Sequence, residues 1–216
     1  MRTFFDYDFP NLVQKNENGS RVYVTPTGEK YPSVTSVTGF GNAKHINEWR
    51  DRVGHEEAEQ ITRRAANRGT RIHTLCEDYL LGNDVKADMF DKEVFNSMLP
   101  HIDKVGDIHC IEKRIYSHVL KVAGTVDLIA TFENELAVVD WKTSRRVKDI
   151  DEIGGYFMQA AAYSQCFYEL TDVNIDKLVI VMGIDDHPAK VFIEDKAVWL
   201  KKFKEQRYKY YAVKKI

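Results

Sequence analysis

Residues 124–142 read GTVDLIATFENELAVVDWK, and the fold is decided by this stretch. Two apolar, β-branched runs, Val122–Phe132 and Leu136–Thr143, flank a short polar break at Glu133 and Asn134. Such runs on either side of a short polar break predict a β-hairpin. We expect the turn to be centred between Glu133 and Asn134.

That turn places Asp127 directly opposite Asp140 on the neighbouring strand. Facing residues have Cβ atoms about 5 Å apart, and two like charges there are destabilising. Two acids so placed in an apolar hairpin either share a proton or hold a cation. Lys142 lies on the face of Asp140, because strand side chains alternate with period two. The hypothesis is a divalent-metal site beside an ammonium. A salt bridge between Asp140 and Lys142 at a strand end is the structural alternative, and a one-residue bulge would break this register.

A third acid, Glu112, lies on the preceding predicted strand. A turn centred between Val119 and Leu120 would place Glu112 beside Asp127, so that three carboxylates line up across adjacent strands. The alternative is a surface acid paired with one of the two basic residues that follow it. Both interpretations of Glu112 remain open from the sequence.

The predicted acids and lysine suit phosphodiester hydrolysis. Hard divalent cations such as Mg²⁺ take oxygen ligands and keep several waters. A bound cation polarises a phosphoryl oxygen and lowers the pKa of water, while a lysine stabilises the developing charge. The sequence shows no Ser-His-Asp or Cys-His grouping at a suggestive spacing and no Gly-rich phosphate loop.

The composition is that of a soluble globular protein, with 216 residues, 44% hydrophobic and 30% charged. No apolar run approaches the roughly 20 residues that span a bilayer. Cys76, Cys110 and Cys166 are widely spaced, which predicts a reducing compartment and argues against disulfides, structural zinc or an iron–sulfur cluster. Because the net charge is −2, contacts to nucleic acid must come from local basic patches.

The predicted fold class is α/β, a mixed β-sheet flanked by helices. The first three strands of the sheet form an antiparallel meander, and a helical crossover adds a parallel strand. These core elements are predicted at Ile108–Ser117, Val122–Phe132, Leu136–Thr143, helix Gly155–Leu170, Lys177–Ile184, Lys190–Glu194 and a final helix Asp195–Tyr211. Lys177–Ile184 is almost wholly apolar, which indicates a strand buried on both faces.

The region before the core is predicted to be mainly helical. Tyr31–Thr38 is a strand or the start of a helix with Ser33 as N-cap. The other elements are a strand Arg21–Thr25, a helix Asn42–Asn67, a break at Arg68-Gly69-Thr70, a second helix from Thr70 as N-cap to Leu81, and a helix Ala87–Val105. The arginines of this region form either a solvated helix face or a phosphate-contacting surface.

Several ordered motifs together resemble the RecB-like branch of the PD-(D/E)XK nuclease superfamily. They are Glu112, Gly124-Thr125-Val126-Asp127, Asp140-Trp141-Lys142 and Gln159-Ala160-Ala161-Ala162-Tyr163. A second set resembles the mitochondrial genome maintenance exonucleases and related phage exonucleases: Tyr31-Pro32-Ser33-Val34-Thr35, Trp49, Arg68-Gly69-Thr70 and His73. The resemblance covers residues 31–163.

The resemblance implies a restriction-endonuclease-like core and a role for each matching residue. The implied metal ligands, for Mg²⁺ or Mn²⁺, are His73, Asp127, Asp140 and the Trp141 carbonyl, with Glu112 as a further candidate. Lys142 is implied as the catalytic lysine, supported by Gln159 and Tyr163, which share one helix face. Taken alone, His73 is more often a packed or exposed residue, and Gln159 and Tyr163 suit ordinary helix–sheet packing. Contacts to DNA are expected from Ser33, Thr35, Arg68, Thr70, Arg145 and Arg146.

The sequence therefore predicts a metal-dependent DNA exonuclease that acts on single-stranded ends. Residues 1–106 would form an N-terminal region whose helical segment guides DNA, and residues 107–216 the nuclease core, within one compact domain overall. Tyr31, Phe40 and Trp49 are candidate base-stacking residues. Replication or recombination proteins are expected partners. The absence of an Arg-rich, acid-poor leader favours a bacterial or phage-infected cytoplasm.

Other functions stay open. They are a structure-specific endonuclease, a duplex-dependent exonuclease, a DNA-binding module that has lost catalysis, and a hydrolase of small phosphoesters. The arginine-rich helices make a polyanionic substrate the better match among these.

Overall fold

The computed structural model describes residues 2–17 and 19–214, with only the backbone at residues 43 and 44. The chain opens with a small antiparallel sheet of strands β1 (Val13–Glu17), β2 (Ser20–Val24) and β3 (Lys30–Pro32). Strand β2 was predicted, whereas β1 was not, because its residues VQKNE are polar and mostly exposed. The short helix α1 (Val34–Phe40) follows, and Ser33 is its N-cap as expected.

A long helical segment comes next, formed by α2 (Ala43–Val53), α3 (His55–Leu81) and α4 (Met89–Ile102). The predicted break at Arg68-Gly69-Thr70 is wrong, because α3 runs straight through it. Thr70 is not an N-cap, since its hydroxyl donates to the Ala66 carbonyl at 3.1 Å. The break lies at Gly54, whose φ of 98° is readily adopted only by glycine.

The core is a five-stranded sheet with helices on both faces. Its elements are β4 (Val105–Ser117), β5 (Val122–Phe132), β6 (Glu135–Ser144), α5 (Gly154–Thr171), β7 (Lys177–Ile184), β8 (His187–Asp195) and α6 (Lys196–Lys214). The strand order is β4-β5-β6-β7-β8, with β6 and β7 parallel and the other pairs antiparallel. The predicted fold class is confirmed.

Strand β7 shows how the sheet separates two apolar cores. Leu178, Ile180 and Met182 pack with the residues of α5 and α6, whereas Val179 and Val181 pack with those of α3 and α4. The alternation explains why the strand is apolar throughout, because both of its faces are covered. Among the described residues, no helix is both long and apolar enough to cross a membrane.

The β5–β6 hairpin has the predicted register. Glu133 and Asn134 have φ of 52° and 65°, the left-handed pair of a two-residue type I′ turn. From this turn, antiparallel pairing between β5 and β6 extends as far as Leu128 and Val139, which are the last paired residues. Asp127 and Asp140 occupy the next position in this register, just beyond the last paired residues, so the two strands part where the acids begin.

The β4–β5 register is confirmed as well. Ile111 pairs with Leu128, and Lys113 pairs with Val126, which places Glu112 beside Asp127. The backbone of Glu112 itself is left-handed, with φ 47°. The backbone at Glu112 therefore departs from regular strand geometry, although its neighbours Ile111 and Lys113 stay paired with β5.

We predict that Gly124→Ala destabilises the fold. A Cβ at this position of β5 would lie 2.6 Å from the Tyr163 hydroxyl and 2.9 Å from a ring carbon, closer than real Cβ contacts. Overpacking of this kind costs about 1–3 kcal/mol. Urea unfolding should show a loss of that size.

The matched control is Gly155→Ala in α5, because a Cβ there meets nothing within 4 Å. Alanine favours helix over glycine by about 1 kcal/mol, so this variant should be as stable as the parent or more so. Equal stability of the two variants would show that Tyr163 does not press on Gly124.

Candidate active site

His73 reaches from α3 to the open end of the hairpin. Its Nε2 donates to the Trp141 carbonyl at 2.8 Å. Its Nδ1 lies 3.4 Å from Asp127 Oδ2 and 3.8 Å from Glu112 Oε1. One ligand atom from each of His73, Glu112 and Asp127 lies within 4.8 Å of the others, so three candidate metal ligands from three elements converge.

Asp127 holds the two parting strands together. Its Oδ2 accepts a hydrogen bond from the Trp141 backbone N–H at 3.0 Å, where main-chain pairing between β5 and β6 has ended. The carboxylate thus replaces the missing main-chain acceptor and is fixed toward His73. A hydrogen-bonded carboxylate so held is a preorganised ligand.

Asp140 turns to different partners. Its Oδ2 forms an ion pair with the Lys142 ammonium, and its Oδ1 accepts from Gln159 Nε2 at 3.0 Å. The residue is 1% exposed. The salt bridge that the sequence offered as the structural alternative therefore forms, beside the cluster of candidate ligands rather than instead of it.

The pKa values of Asp140 and Lys142 are both raised in this buried ion pair. Burial raises the pKa of Asp140 to about 7, with the Asp127 charge acting in the same direction and Lys142 against it. Burial acts to lower the pKa of Lys142, but attraction to Asp140 and Asp127 outweighs burial and raises it. Lys142 is therefore an ammonium at neutral pH, suited to stabilising negative charge rather than to taking up a proton.

His73 responds to its acidic neighbours. Burial alone would lower the pKa of His73, but the Asp127 charge and a hydrogen bond to Glu112 raise it overall. When it is protonated, the imidazole places its positive charge beside two carboxylates, where a metal cation would also bind. A metal ion and a proton are expected to compete there, since ligation requires neutral histidine.

Glu112 joins the cluster while its side chain stays 34% exposed. No ion pair joins it to Lys113 or Arg114 among the described residues, and Arg114 donates to the Leu12 carbonyl. A left-handed backbone costs a non-glycine residue about 1–2 kcal/mol. Such strain is found preferentially at functional sites.

The donor set fits a hard or borderline divalent cation. It offers an imidazole nitrogen and two carboxylates, which suits Mg²⁺ or Mn²⁺. Of the five predicted ligands, the structure brings together ligand atoms of His73, Glu112 and Asp127, whereas the Trp141 carbonyl accepts from the opposite ring nitrogen of His73. Asp140 instead faces Lys142 and Gln159.

Helix α5 supports the site through the two predicted residues. Gln159 touches Asp140 directly. Tyr163 is buried and its ring lies against Gly124, which explains the glycine three residues before Asp127. Burial, with the charges of Asp127 and Asp140, raises the pKa of Tyr163 well above its usual value, so the phenol is neutral. Tyr163 thus fits the packing interpretation, and Gln159 contacts the site.

The residues predicted to contact DNA differ in their exposure to solvent. Ser33 is 2% exposed, and its hydroxyl accepts from the Ser36 N–H as the cap of α1. Thr35 is exposed and lines a cavity of about 350 Å³ with Ser33, Lys15 and Arg21. The contacts proposed for Ser33 and Thr35 stay predictions.

The other predicted contacts lie along α3 and after β6. Arg68 pairs with Asp185 and Asp91, and Arg146 pairs with Glu152. Arg145 forms no ion pair among the described residues. Thr70 lines a cavity of about 490 Å³ that also contains His73, Glu77 and Glu112. The roles of these residues in binding DNA likewise stay predictions.

The candidate stacking residues are partly core. Tyr31 is buried, and its hydroxyl contacts His118 Nδ1 at 2.7 Å. Phe40 packs edge-on against Tyr210. Tyr156, in contrast, was not singled out, although its ring centroid lies 5.1 Å from Lys142 Nζ. Its place three residues before Gln159 on one helix stripe could have identified it.

The sequence is similar to proteins that are named as exonucleases. No protein-family profile matches the chain. The chain is 27% identical over 180 residues to mitochondrial genome maintenance exonuclease 1 of Xenopus tropicalis, covering 76% of this chain and 52% of that protein. It is 25% identical over 174 residues to the Homo sapiens protein of that name, covering 73% and 51%. The chain thus spans about half the length of the curated relatives it matches.

A solved structure named as a candidate exonuclease, from Eubacterium rectale, is also similar. The identity is 14%, the match covers 66% of this chain and 63% of that one, and the TM-score is 0.45. A likeness at this level assigns neither fold nor function.

Proposed function

We propose that the chain is a metal-dependent nuclease that hydrolyses phosphodiester bonds of DNA, acting as an exonuclease on single-stranded ends. The observation that carries the proposal is the convergence of His73, Glu112 and Asp127 beside the buried pair of Asp140 and Lys142. The relatives named as exonucleases support the same activity.

His73, Glu112 and Asp127 would hold the cation, which we propose is Mg²⁺ or Mn²⁺. The Trp141 carbonyl would join them only by exchanging its hydrogen bond from His73 Nε2 for the cation. When bound, the cation supplies a polarised phosphoryl oxygen and a water of lowered pKa. Asp127 is oriented for ligation by the Trp141 N–H. His73 is already placed over Asp127 by the uninterrupted helix α3.

Lys142 would stabilise the negative charge that develops on the phosphoryl group. Its ammonium is fixed by Asp140, and Asp140 is fixed by Gln159, so the charge is in place before the substrate binds. Preorganised charge in a site that excludes water is worth far more than the same charge in water.

The helical region would guide the strand into this site. We propose that residues 1–106 position DNA and that residues 107–216 carry the nuclease core. Arg68, Thr70, Arg145, Arg146, Ser33 and Thr35 are the proposed contacts to the DNA backbone. Such contacts fix the position of the strand and do not read its sequence.

The test compares end-labelled linear single strands with covalently closed circles of the same sequence, in Mg²⁺ or Mn²⁺. An exonuclease shortens the linear strand and leaves the circle intact. Nicking of circles would replace the exonuclease proposal with an endonuclease. A protein that binds both substrates and cleaves neither would overturn the nuclease itself.

A further inference from the structure

A second cavity, of about 540 Å³, lies where β6 ends. It is lined by the flank of α3 and by the loop after β6. Six of its lining residues are cations and none of the described lining residues is an acid: Arg64, Arg68, Arg71, Arg145, Arg146 and Lys148. We call this space the basic cavity.

Three of these cations form no ion pair among the residues that the structure describes, although Lys148 adds to the lowering of the Glu152 pKa that the hydrogen bond from Arg146 causes. Arg68, Arg71 and Arg146 form ion pairs with Asp185, Asp91 and Glu152. Within residues 2–17 and 19–214, no ion pair includes the other three: Arg64, Arg145 and Lys148. Because these three cations line one concavity without an ion pair to hold them, the basic cavity is suited to an anionic ligand.

Helix α3 separates the basic cavity from the candidate metal site. Arg64, Arg68 and Arg71 line the basic cavity, while Thr70 and His73 line the cavity that contains Glu112. Residues three and four apart share a helix face, so α3 presents cations on one flank and metal-binding groups on the other.

Tyr156 joins the two regions. Its ring centroid lies 5.1 Å from Lys142 Nζ and 5.5 Å from Lys148 Nζ. Lys148 Nζ also donates to the Tyr156 hydroxyl at 3.4 Å. Cation–π attraction of this kind orients an ammonium over the ring. One side chain therefore contacts both the proposed catalytic lysine and a lysine of the basic cavity.

We propose that the basic cavity is a subsite for backbone phosphates that neighbour the scissile phosphate on the same strand, and that Tyr156 is a positioning residue that aligns Lys142 with it. The inference rests on the proposed function. The scissile phosphate would contact Lys142, and the next phosphates along the strand would contact Lys148, Arg145 and Arg64. The ligand chemistry is a string of phosphodiesters.

Binding tests the subsite without cleavage. Fluorescence anisotropy in Ca²⁺, with a labelled single strand and a series of KCl concentrations, should show weaker binding for Arg64→Ala, Arg145→Ala and Lys148→Ala. The slope of log affinity against log salt should fall by about 0.7 for each cation that no longer neutralises a phosphate. Lys201→Ala and Lys204→Ala, on exposed positions of α6, are the matched controls and should bind like the parent.

A neutral linkage locates the bound phosphate. A series of single strands is prepared in which one uncharged methylphosphonate replaces a phosphodiester, at a different position from the strand end in each. At one position the methylphosphonate should weaken binding of the parent severalfold and leave the already weakened binding of Lys148→Ala unchanged. Equal reductions in both proteins at every position, or variants that bind like the Lys201→Ala control, would overturn the subsite.

Kinetics test Tyr156. Tyr156→Leu removes the ring face and should lower kcat about fivefold or more, whereas Tyr156→Phe keeps the face and should retain most of the activity. Equal kcat values for the parent and Tyr156→Leu would overturn the positioning role, as would equal reductions for leucine and phenylalanine.

The two proposals fail separately. If the parent cleaves DNA but the three cavity variants bind normally, only the subsite is wrong. If no cleavage occurs and the cavity variants still bind more weakly, the nuclease proposal is wrong and phosphate binding stands.

Discussion

Lys142→Met is expected to lower the cleavage rate by about two to three orders of magnitude, the usual cost of removing one group that stabilises transition-state charge. Methionine keeps most of the side-chain volume and removes only the ammonium. Binding of the single strand, measured by anisotropy in Ca²⁺, should change much less, because the proposed role of Lys142 lies in the transition state. Single-turnover cleavage measures the effect directly.

The same substitution has a structural consequence that must be measured beside it. Removing one partner of a buried ion pair costs about 3–5 kcal/mol, and Asp140 would be left in the core with only Gln159. Asp140→Asn combined with Lys142→Met removes both charges. We expect the double variant to regain stability in urea unfolding without regaining cleavage.

Lys92→Met, on an exposed position of α4, is the matched control for the loss of a lysine charge. It should cleave and unfold like the parent. If Lys142→Met is folded and cleaves within about threefold of the parent, the ammonium does not stabilise the transition state and the role given to Lys142 is wrong.

Asp127→Asn is the second large expected effect, and here metal affinity should change. The amide oxygen can still accept from the Trp141 N–H, so the join between β5 and β6 is kept. The charge that faces His73 and Glu112 is lost. We expect Mn²⁺ affinity to fall by at least about tenfold and cleavage to fall with it. Calorimetric titration with Mn²⁺ measures the affinity.

Stability should change much less. The charge of Asp127 repels Asp140, which adds to the effect of burial in raising the pKa of Asp140, but the same charge attracts His73 and Lys142. Removing that charge should therefore leave the thermal midpoint close to that of the parent. Asp84→Asn, an exposed acid paired with Lys86, is the control. Unchanged Mn²⁺ affinity in Asp127→Asn would remove this residue from the ligand set.

Local pattern was sufficient to predict the sheet. The turn at Glu133-Asn134 and the alternation of apolar residues fixed the hairpin register, and the almost wholly apolar β7 indicated a strand covered on both sides. Both signals depend on neighbours close in sequence, where period and turn geometry decide the outcome.

The partners of the acids could not be predicted in the same way. The register places Asp127 and Asp140 at facing positions, but pairing ends one step earlier, at Leu128 and Val139. Each carboxylate then finds its own donor, the Trp141 N–H for Asp127 and Gln159 for Asp140. The residue at which two strands stop pairing depends on tertiary packing, and the pattern of residues along the two strands carries no information about that packing.

The course of α3 shows tertiary packing overriding local preference. Gly69 in Arg68-Gly69-Thr70 lowers helix propensity by about 1 kcal/mol relative to alanine, which favoured a break there. Burial of Ile72, Leu75 and Cys76 on the core side of the helix offsets that cost. The left-handed backbone of Glu112 could not be predicted from the sequence either, because residues other than glycine rarely adopt this conformation.

The basic cavity joins residues that are far apart in the chain. Arg64 and Lys148 belong to a helix before the sheet and a loop after β6, and only the folded chain brings them together. The sequence did indicate arginine-rich helices and contacts to DNA from Arg145 and Arg146, but not that one ring, Tyr156, would contact both Lys142 and Lys148.

Metal dependence is tested most directly with protein stripped of metal by chelation and desalting. End-labelled linear single-stranded DNA is incubated with this protein while Mn²⁺ is added in steps, and Mn²⁺ occupancy is measured in parallel by calorimetry. We predict no cleavage without metal, and a rate that rises with occupancy in the parent but not in Asp127→Asn. Cleavage at the full rate by the metal-free protein would contradict the proposed metal-dependent mechanism.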